Sequence, residues 1–446
     1  MLQVNDQDGK LAKAVAYLRG PLLTLAPKVA LSMATFGVNK AYNLFLIVII
    51  GKTNGALGLG LFFLLFTIGS YVSVFSSFLI PNYFVRHGLA ASVQRANFGL
   101  ALTLSPAVAM IIGGLTGLAL ATFTDLGMAA TSVAAAVALF AAYEVALLFL
   151  TTYYRAREKY AAQNNVTVGL RIADLVVLTI LALSGSPIES WLLLFTGQRF
   201  VLIVLVIAFT GPIAAGWRMA YRILQKPLGR RAVAQRSAHA LRYAAPLVPS
   251  GLLTVISRNG DRFFVAGFLG QEMLGIYGAL YALGNLIGAV DGPFVNVLLP
   301  HLSKRWRNEG DKPAGDRQFF LAALVVYGAI ALALLAGILA LWPLVERFYL
   351  PVEAAAFEAG LLMVILVGGG TILMGVSRIL AVRLYRGATG SVLISSTAIV
   401  LANFALNTAL IPIMGLLGAA LATVGSSLVG VTMVVLLNLR ARRLNR

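Results

Sequence analysis

Charged side chains inside long apolar stretches are the residues of this 446-residue chain whose chemistry needs an explanation. A charge at the centre of a membrane costs at least about 2.5 kcal/mol, so such residues mark functional sites by default. Arg171 precedes Asp174 by three positions, and Arg258 precedes Asp261 and Arg262 by three and four, so each set fits one helix face. Guanidinium groups bind carboxylates and phosphates through paired hydrogen bonds. The pattern therefore predicts a site for an anion.

Cations outnumber acids among these residues. Seven cations lie inside apolar spans and four acids lie well inside them, so complete pairing still leaves three cations that need another anion. Arg199 follows Gln198 near the middle of its span and has no acid within four positions, which favours a cavity-lining role. The cations predicted to line a cationic, substrate-binding cavity are Arg199, Arg258, Arg262, Lys40, Arg171, Lys28 and Arg378. Asp174, Asp261 and Asp291 are the candidates for ion coupling or internal pairing, and Glu144 is the fourth acid.

Some of these residues also fit a structural role. Lys28, Lys40 and Arg378 lie within two or three turns of a span end, where a long side chain can reach the lipid headgroups. Arg171 with Asp174 also fits a buried pair that fixes helix 5, predicted at 166–184, to helix 7, predicted at 244–268. Both alternatives stay open at the level of sequence.

The elements that position these residues are membrane-spanning helices. The chain is 59% hydrophobic and 11% charged, against about 25% charged in soluble domains. Runs of about 20 apolar residues predict transmembrane helices, because hydrocarbon offers no partner to an open peptide group. The sequence thus predicts an all-α polytopic membrane protein with twelve spans: 22–50, 56–80, 97–121, 127–150, 166–184, 191–213, 244–268, 273–299, 319–345, 357–380, 391–411 and 415–438.

The distribution of the remaining cations predicts the topology. Lys and Arg concentrate in one set of connections, whereas the opposite connections hold only Lys52 and Arg347. By the positive-inside rule both termini face the cytoplasm, and most of the net charge of +19 reflects topology and attraction to membrane lipids. Nucleic acid is therefore not an expected partner.

The basic stretch 214–243 divides the chain into two sets of six spans. The predicted organisation is a cytoplasmic segment 1–21, an N-lobe 22–213, a basic linker 214–243, a C-lobe 244–438 and a basic tail 439–446. Leu57-Gly58-Leu59-Gly60 opens span 2, and Leu274-Gly275-Ile276-Tyr277 opens span 8. Six helices per half predict a parallel repeat, with two lobes around a central cavity. Gly113 with Gly117, and Gly284 with Gly288, have a spacing that favours close helix packing.

Several classes of chemistry are disfavoured. The chain has no cysteine, and its three histidines lie far apart in polar segments, so no metal site is expected. Gly51-Lys52-Thr53 lacks the first glycine of a phosphate-binding loop. No cofactor is expected, and an enzyme is not favoured.

The segment Ser257–Gly270, followed by Leu274-Gly275-Ile276-Tyr277 and later Pro300, resembles the bacterial polysaccharide flippases, the O-antigen and exopolysaccharide translocases of the multidrug/oligosaccharidyl-lipid/polysaccharide exporter superfamily. The resemblance implies two six-helix lobes around a cationic cavity. It also implies movement of undecaprenyl-diphosphate-linked oligosaccharides across the bacterial cytoplasmic (inner) membrane, with the polysaccharide polymerase machinery as a further partner. Residues 51–58 depart from the Gly-Pro-Glu-like turn of the family, which leaves the subfamily open.

Three other functions fit the sequence less well. A multidrug exporter of the same superfamily is the alternative, but it should offer carboxylates to a cationic drug. A peptidoglycan-precursor flippase typically has two more helices. A membrane-embedded glycosyltransferase or polymerase should have large hydrophilic loops with catalytic carboxylates, and the outward loops of this chain are short.

Overall fold

The computed structural model describes residues 5–78, 80–87, 89, 92–124, 126–157, 159–210, 218–223, 225–245, 247–291, 313–382 and 389–444. Every regular element in these ranges is a helix, as the sequence predicts. The long helices are α1 (Asn5–Ser77), α2 (Ile80–His87), α3 (Ser92–Phe123), α4 (Ala130–Arg155), α5 (Tyr160–Ser184), α6 (Ile188–Thr210), α7 (Pro227–Ala244), α8 (Leu247–Leu269), α9 (Gln271–Gly284), α10 (Pro313–Ala340), α11 (Gly360–Ala381), α12 (Thr389–Met414) and α13 (Leu416–Leu444). Short helical turns cover Asn285–Ile287, Trp342–Leu344, Val345–Tyr349 and Val352–Ala355.

Ten helices in the described ranges are long and apolar enough to cross a membrane. The twelve predicted spans differ from these ten for two reasons. Predicted spans 1 and 2 both fall in α1, which is divided at Gly55, where φ is +67° and the backbone leaves the helical region. Predicted span 7 corresponds to α8, which Arg258, Asp261 and Arg262 make more polar. The chain is a multi-pass, all-α membrane protein.

Helix surfaces show which medium they face. Ile172, Val176 and Ile180 recur every four residues of α5 and are all exposed. This pattern would be unfavourable in water, but it suits a helix whose solvent is lipid.

The chain divides into two compact units. Unit I is Leu46–Gly278, and unit II combines Met1–Phe45 with Ala279–Arg446. The predicted lobes divide the chain at 214–243 instead, and they stay a prediction.

In unit I, α3 packs closely on α4. A Cβ atom on Gly113 would lie 2.9 Å from the Ala138 Cα, and one on Gly117 would lie 2.7 Å from the Ala134 Cα. The packing role predicted for this glycine pair is confirmed. In unit II, Gly284 approaches Val367 of α11 in the same way, whereas Gly288 lies nearest to Asn285 of its own segment.

The part of α1 after Gly55 crosses α9 within unit I. A Cβ on Gly60 would lie 1.8 Å from the Gln271 carbonyl oxygen, and a Cβ on Gly275 would lie 1.8 Å from the Ala56 carbonyl oxygen. The two contacts are reciprocal, because one sequence separation relates Ala56 to Gln271 and Gly60 to Gly275. The predicted repeat matches Leu57-Gly58 with Leu274-Gly275 instead, and it stays a prediction.

The basic stretch predicted as a linker contains the 18-residue helix α7, which packs against α2 and α3. Val233, Ala240 and Ala244 form its buried stripe, while Arg231 and Arg236 are exposed. Pro227 begins the helix, where its missing N–H removes no hydrogen bond.

Candidate cationic site

Two of the predicted cavity cations, Arg199 and Arg262, contact successive residues of one turn of α1. Phe66 contacts Arg199 of α6, and the next residue, Thr67, contacts Arg262 of α8. Successive residues of a helix point about 100° apart, so this turn separates two groups of charges. We name them the Asp174 cluster and the Asp261 cluster.

The Asp174 cluster joins α5 and α6. Asp174 is 1% exposed, and its Oδ2 atom accepts from the Arg199 Nε at 3.0 Å and lies 2.8 Å from the Arg199 Nη2. Arg171 reaches the same oxygen through Nη1 at 3.5 Å. Two guanidinium groups thus share one carboxylate oxygen, and the pair links α5 to α6. The described pair joins helices 5 and 6, and the predicted alternative, in which Arg171 with Asp174 fixes helices 5 and 7, stays a prediction.

Aromatic rings surround the Arg199 guanidinium. Its Cζ lies 4.0 Å from the centre of the Phe195 ring, 5.2 Å from that of Tyr143 and 5.7 Å from that of Phe66. Rings attract cations through the negative charge of their faces. Arg199 is only 3% exposed, so in this conformation it contacts the rings and Asp174 instead of an open cavity.

The Asp261 cluster joins α8, α9 and α1. The buried Asp261 accepts a hydrogen bond from the Tyr277 hydroxyl and another from the backbone N–H of Arg262 at 3.0 Å. Carboxylates in apolar surroundings need such donors. Asp261 therefore has donors that do not involve the Arg262 side chain.

The Arg262 guanidinium contacts neutral side chains. Its Nη1 donates to the Thr67 hydroxyl at 3.0 Å, and its Cζ lies 4.9 Å from the centre of the Phe63 ring. Its Nε is buried and has no hydrogen-bond partner among the described residues. Within the described ranges Arg262 forms no ion pair, although Asp261 is adjacent in the sequence. The exposed Arg258 lies one turn earlier on the same side of α8.

In unit II the predicted charges have specific partners. Arg378 of α11 forms an ion pair with the buried Asp291, and Arg378 itself is 34% exposed. The Lys40 ammonium donates to the Asn285 carbonyl at 3.0 Å, where the helix tightens into a 3₁₀ turn. The headgroup interaction that is the alternative for Lys40 and Arg378 stays a prediction. Lys28 lies outside the residues whose side chains the structure describes.

Sequence reasoning did not identify the neutral partners of these charges. Tyr277 stands in the motif that opens span 8, but the motif does not indicate its hydrogen bond to Asp261. Thr67, Phe63 and Tyr143 carry no signal in the sequence, because hydroxyl and aromatic residues are common in membrane helices. Their roles appear only when the helices are assembled.

No protein-family model matches the chain, and no curated protein matches it by sequence. Several solved structures match the fold of the chain. A mutant of the Vibrio cholerae MATE transporter VcmN aligns with a TM-score of 0.60 at 13% identity, over 97% of this chain and 98% of that chain. The lipid II flippase MurJ in an inward closed conformation aligns with a TM-score of 0.55 at 14% identity, over 91% and 87%.

An inward-facing multidrug resistance MATE family transporter of the MOP superfamily aligns with a TM-score of 0.56 at 13% identity, covering 91% of this chain and 94% of that chain. The chain shares its fold with these solved transporters and with this flippase. At these identities the likeness concerns the fold, and substrates have to be argued from the site.

Proposed function

We propose that the chain is a flippase that moves undecaprenyl-diphosphate-linked oligosaccharide units from the inner to the outer leaflet of the bacterial cytoplasmic membrane. The fold supports a transporter, because the similar structures are described as transporters or as a flippase. In this proposal the chain works by alternating access, supplies lipid-linked units to polysaccharide synthesis and has both termini in the cytoplasm.

The observation that carries the proposal is the setting of Arg262. Its half-buried guanidinium contacts a hydroxyl group and a ring, while the neighbouring carboxylate of Asp261 is bound by Tyr277. Arg258 lies one helical turn away. A diphosphate offers several oxygens to such an arginine pair, and guanidinium groups bind phosphate through paired hydrogen bonds. We assign the diphosphate contacts to Arg258 and Arg262.

The other predicted cations have different roles in this proposal. Arg171, half-buried at the edge of the Asp174 cluster, is the next candidate for contact with the substrate. Arg199 and Arg378 neutralise buried acids in this conformation. Lys28 and Lys40 stay predictions as cavity residues.

The decisive experiment compares variants of Arg262 in cells that lack the chromosomal copy of the gene. Arg262→Ala should abolish most polysaccharide export at a normal protein level, and lipid-linked glycans should accumulate on the inner leaflet. Arg262→Lys should restore export only in part, because an ammonium group lacks the planar fork of arginine. Arg236→Ala, on the exposed face of α7, is the matched control and should export normally. Normal export in a variant with both Arg258→Ala and Arg262→Ala would refute the proposal.

A multidrug or small-molecule exporter of the same superfamily is the second candidate, and the similarity to multidrug MATE transporters favours it. It predicts that deletion of the gene sensitises cells to organic cations and leaves lipid-linked glycans unchanged. Measuring both phenotypes in one deletion strain separates the two functions.

A further inference from the structure

The surroundings of Arg199 are those of a cation-binding site. One buried carboxylate, Asp174, lies on one side of the guanidinium, and the rings of Phe66, Tyr143 and Phe195 lie within 5.7 Å of its Cζ. Aromatic rings with a carboxylate are the combination by which proteins recognise guanidinium and alkylammonium ligands. Here the cation is part of the chain.

A further polar group of the same site, the hydroxyl of Tyr143, is buried. It has no hydrogen-bond partner among the described residues. Tyr143 is 1% exposed, so its hydroxyl does not reach solvent. Buried polar groups of this kind call for a partner such as water or a polar ligand. The hydroxyl is a second indication of a binding site, because an apolar packing contact would not place it there.

We propose that Arg199 is the tethered ligand of a cation site formed by Asp174, Phe66, Tyr143 and Phe195, and that it keeps external cations out of that site. Arg199 is then a specificity-determining residue: its loss opens a site for guanidinium and small alkylammonium ions. The inference goes beyond the proposed function, because it concerns cation exclusion in unit I and holds whatever anion the chain carries.

The test uses the full-length chain in detergent with Arg199→Ala, which leaves space for a small ligand. Millimolar guanidinium or methylguanidinium should raise the Tm of this variant by about 2 °C or more, because binding to the folded state alone stabilises it. Urea at the same concentration has a similar shape without the charge and should not raise the Tm. The wild-type protein should show no such increase with guanidinium, because its site is occupied.

Two control variants identify the site. Arg199→Ala combined with Asp174→Asn removes the carboxylate and should lose the response to guanidinium. Arg378→Ala breaks the ion pair with Asp291, and the described residues show no aromatic ring in contact with that pair. Its response to guanidinium should be at least tenfold weaker than that of Arg199→Ala. An equal response of Arg199→Ala to urea and guanidinium, or an unchanged response after Asp174→Asn, would overturn the proposal.

A measurement on the folded wild type covers the case in which Arg199→Ala does not fold. Ring currents from three aromatic rings should shift one arginine Nε–H proton resonance upfield and burial should slow its exchange with solvent. That resonance should disappear in Arg199→Lys, which keeps the charge. A spectrum of the wild type without a shifted, slowly exchanging arginine signal would also reject the tethered-ligand role.

Discussion

The buried acids of this protein have hydrogen-bond donors of two kinds. Asp261 and Asp291 are both buried, but one accepts from a tyrosine and the other from an arginine. Removing a donor from a buried charged acceptor costs more than removing one from a neutral carbonyl. The two sites therefore predict different consequences of conservative substitutions.

Tyr277→Phe should destabilise the protein by about 1–3 kcal/mol, because the buried Asp261 carboxylate loses a hydrogen-bond donor. The matched control is Tyr349→Phe, because the buried Tyr349 hydroxyl donates at 3.2 Å to the neutral Ala279 carbonyl. That change should cost about 1 kcal/mol. Thermal unfolding of the two variants in the same detergent measures the difference, and equal losses would show that the charge of Asp261 does not matter.

The ion pair of unit II should respond asymmetrically to its two possible truncations. Arg378→Ala leaves a carboxylate that is 4% exposed, whereas Asp291→Ala leaves a guanidinium that is 34% exposed. A buried charge without its partner costs about 3–5 kcal/mol, and partial solvation reduces this cost. We expect the larger loss of Tm for Arg378→Ala. The reverse order would mean that Arg378, and not Asp291, is the poorly solvated partner.

At the scale of elements, the sequence indicates where the apolar helices lie, but it does not indicate which helices contact each other. Apolar runs predict where helices lie because hydrocarbon imposes their length. The division of α1 at Gly55 also falls between the predicted spans 22–50 and 56–80. The sequence did not predict that Asp174 binds Arg199 of α6, because residues 25 positions apart meet only through tertiary packing. Helix α7 was missed since its apolar stripe consists of only a few small residues in a strongly basic stretch.

The crossing of α1 with α9 predicts a strong sensitivity to side-chain size. Gly60→Ala places a Cβ where the Gln271 carbonyl oxygen now lies, so the helices must move apart. We expect a loss of about 1–3 kcal/mol, typical of overpacking, together with reduced transport. Gly267→Ala of α8 meets no atom within 4 Å and should be neutral or slightly stabilising. Thermal unfolding of both variants is the measurement, and a neutral Gly60→Ala would contradict the close crossing.

At the scale of the whole molecule, charge asymmetry predicts the orientation in the membrane. The chain lacks cysteine, so single cysteines can be introduced without background. An impermeant thiol reagent applied to intact cells should label Lys52→Cys and Glu189→Cys, and it should not label the exposed position of Arg236→Cys. Strong labelling at position 236 with none at position 52 would invert the topology and the proposed direction of transport.

The proposed substrate also predicts the energy source. Moving one elementary charge across a potential of 100 mV is worth about 2.3 kcal/mol, and the cytoplasmic side is electrically negative. Outward movement of a diphosphate is therefore favoured by the potential. In reconstituted vesicles, an imposed potassium diffusion potential of the correct sign should accelerate flipping. Flipping that ignores the potential and follows a proton or sodium gradient would instead indicate ion coupling through acids such as Asp174, Asp261 or Asp291.

The three charges of α8 also affect how the protein is made. Each of Arg258, Asp261 and Arg262 disfavours transfer of a nascent helix from the translocon into lipid, by about 2.5–3.5 kcal/mol for a residue at the helix centre. Alone, α8 should therefore pass the insertion channel without being retained. Synthesis of α9, whose Tyr277 binds Asp261, offers the earliest compensation from the C-terminal side. The membrane entry of α8 is thus expected to be delayed until its successor has left the ribosome, which makes this helix pair a single unit of biogenesis.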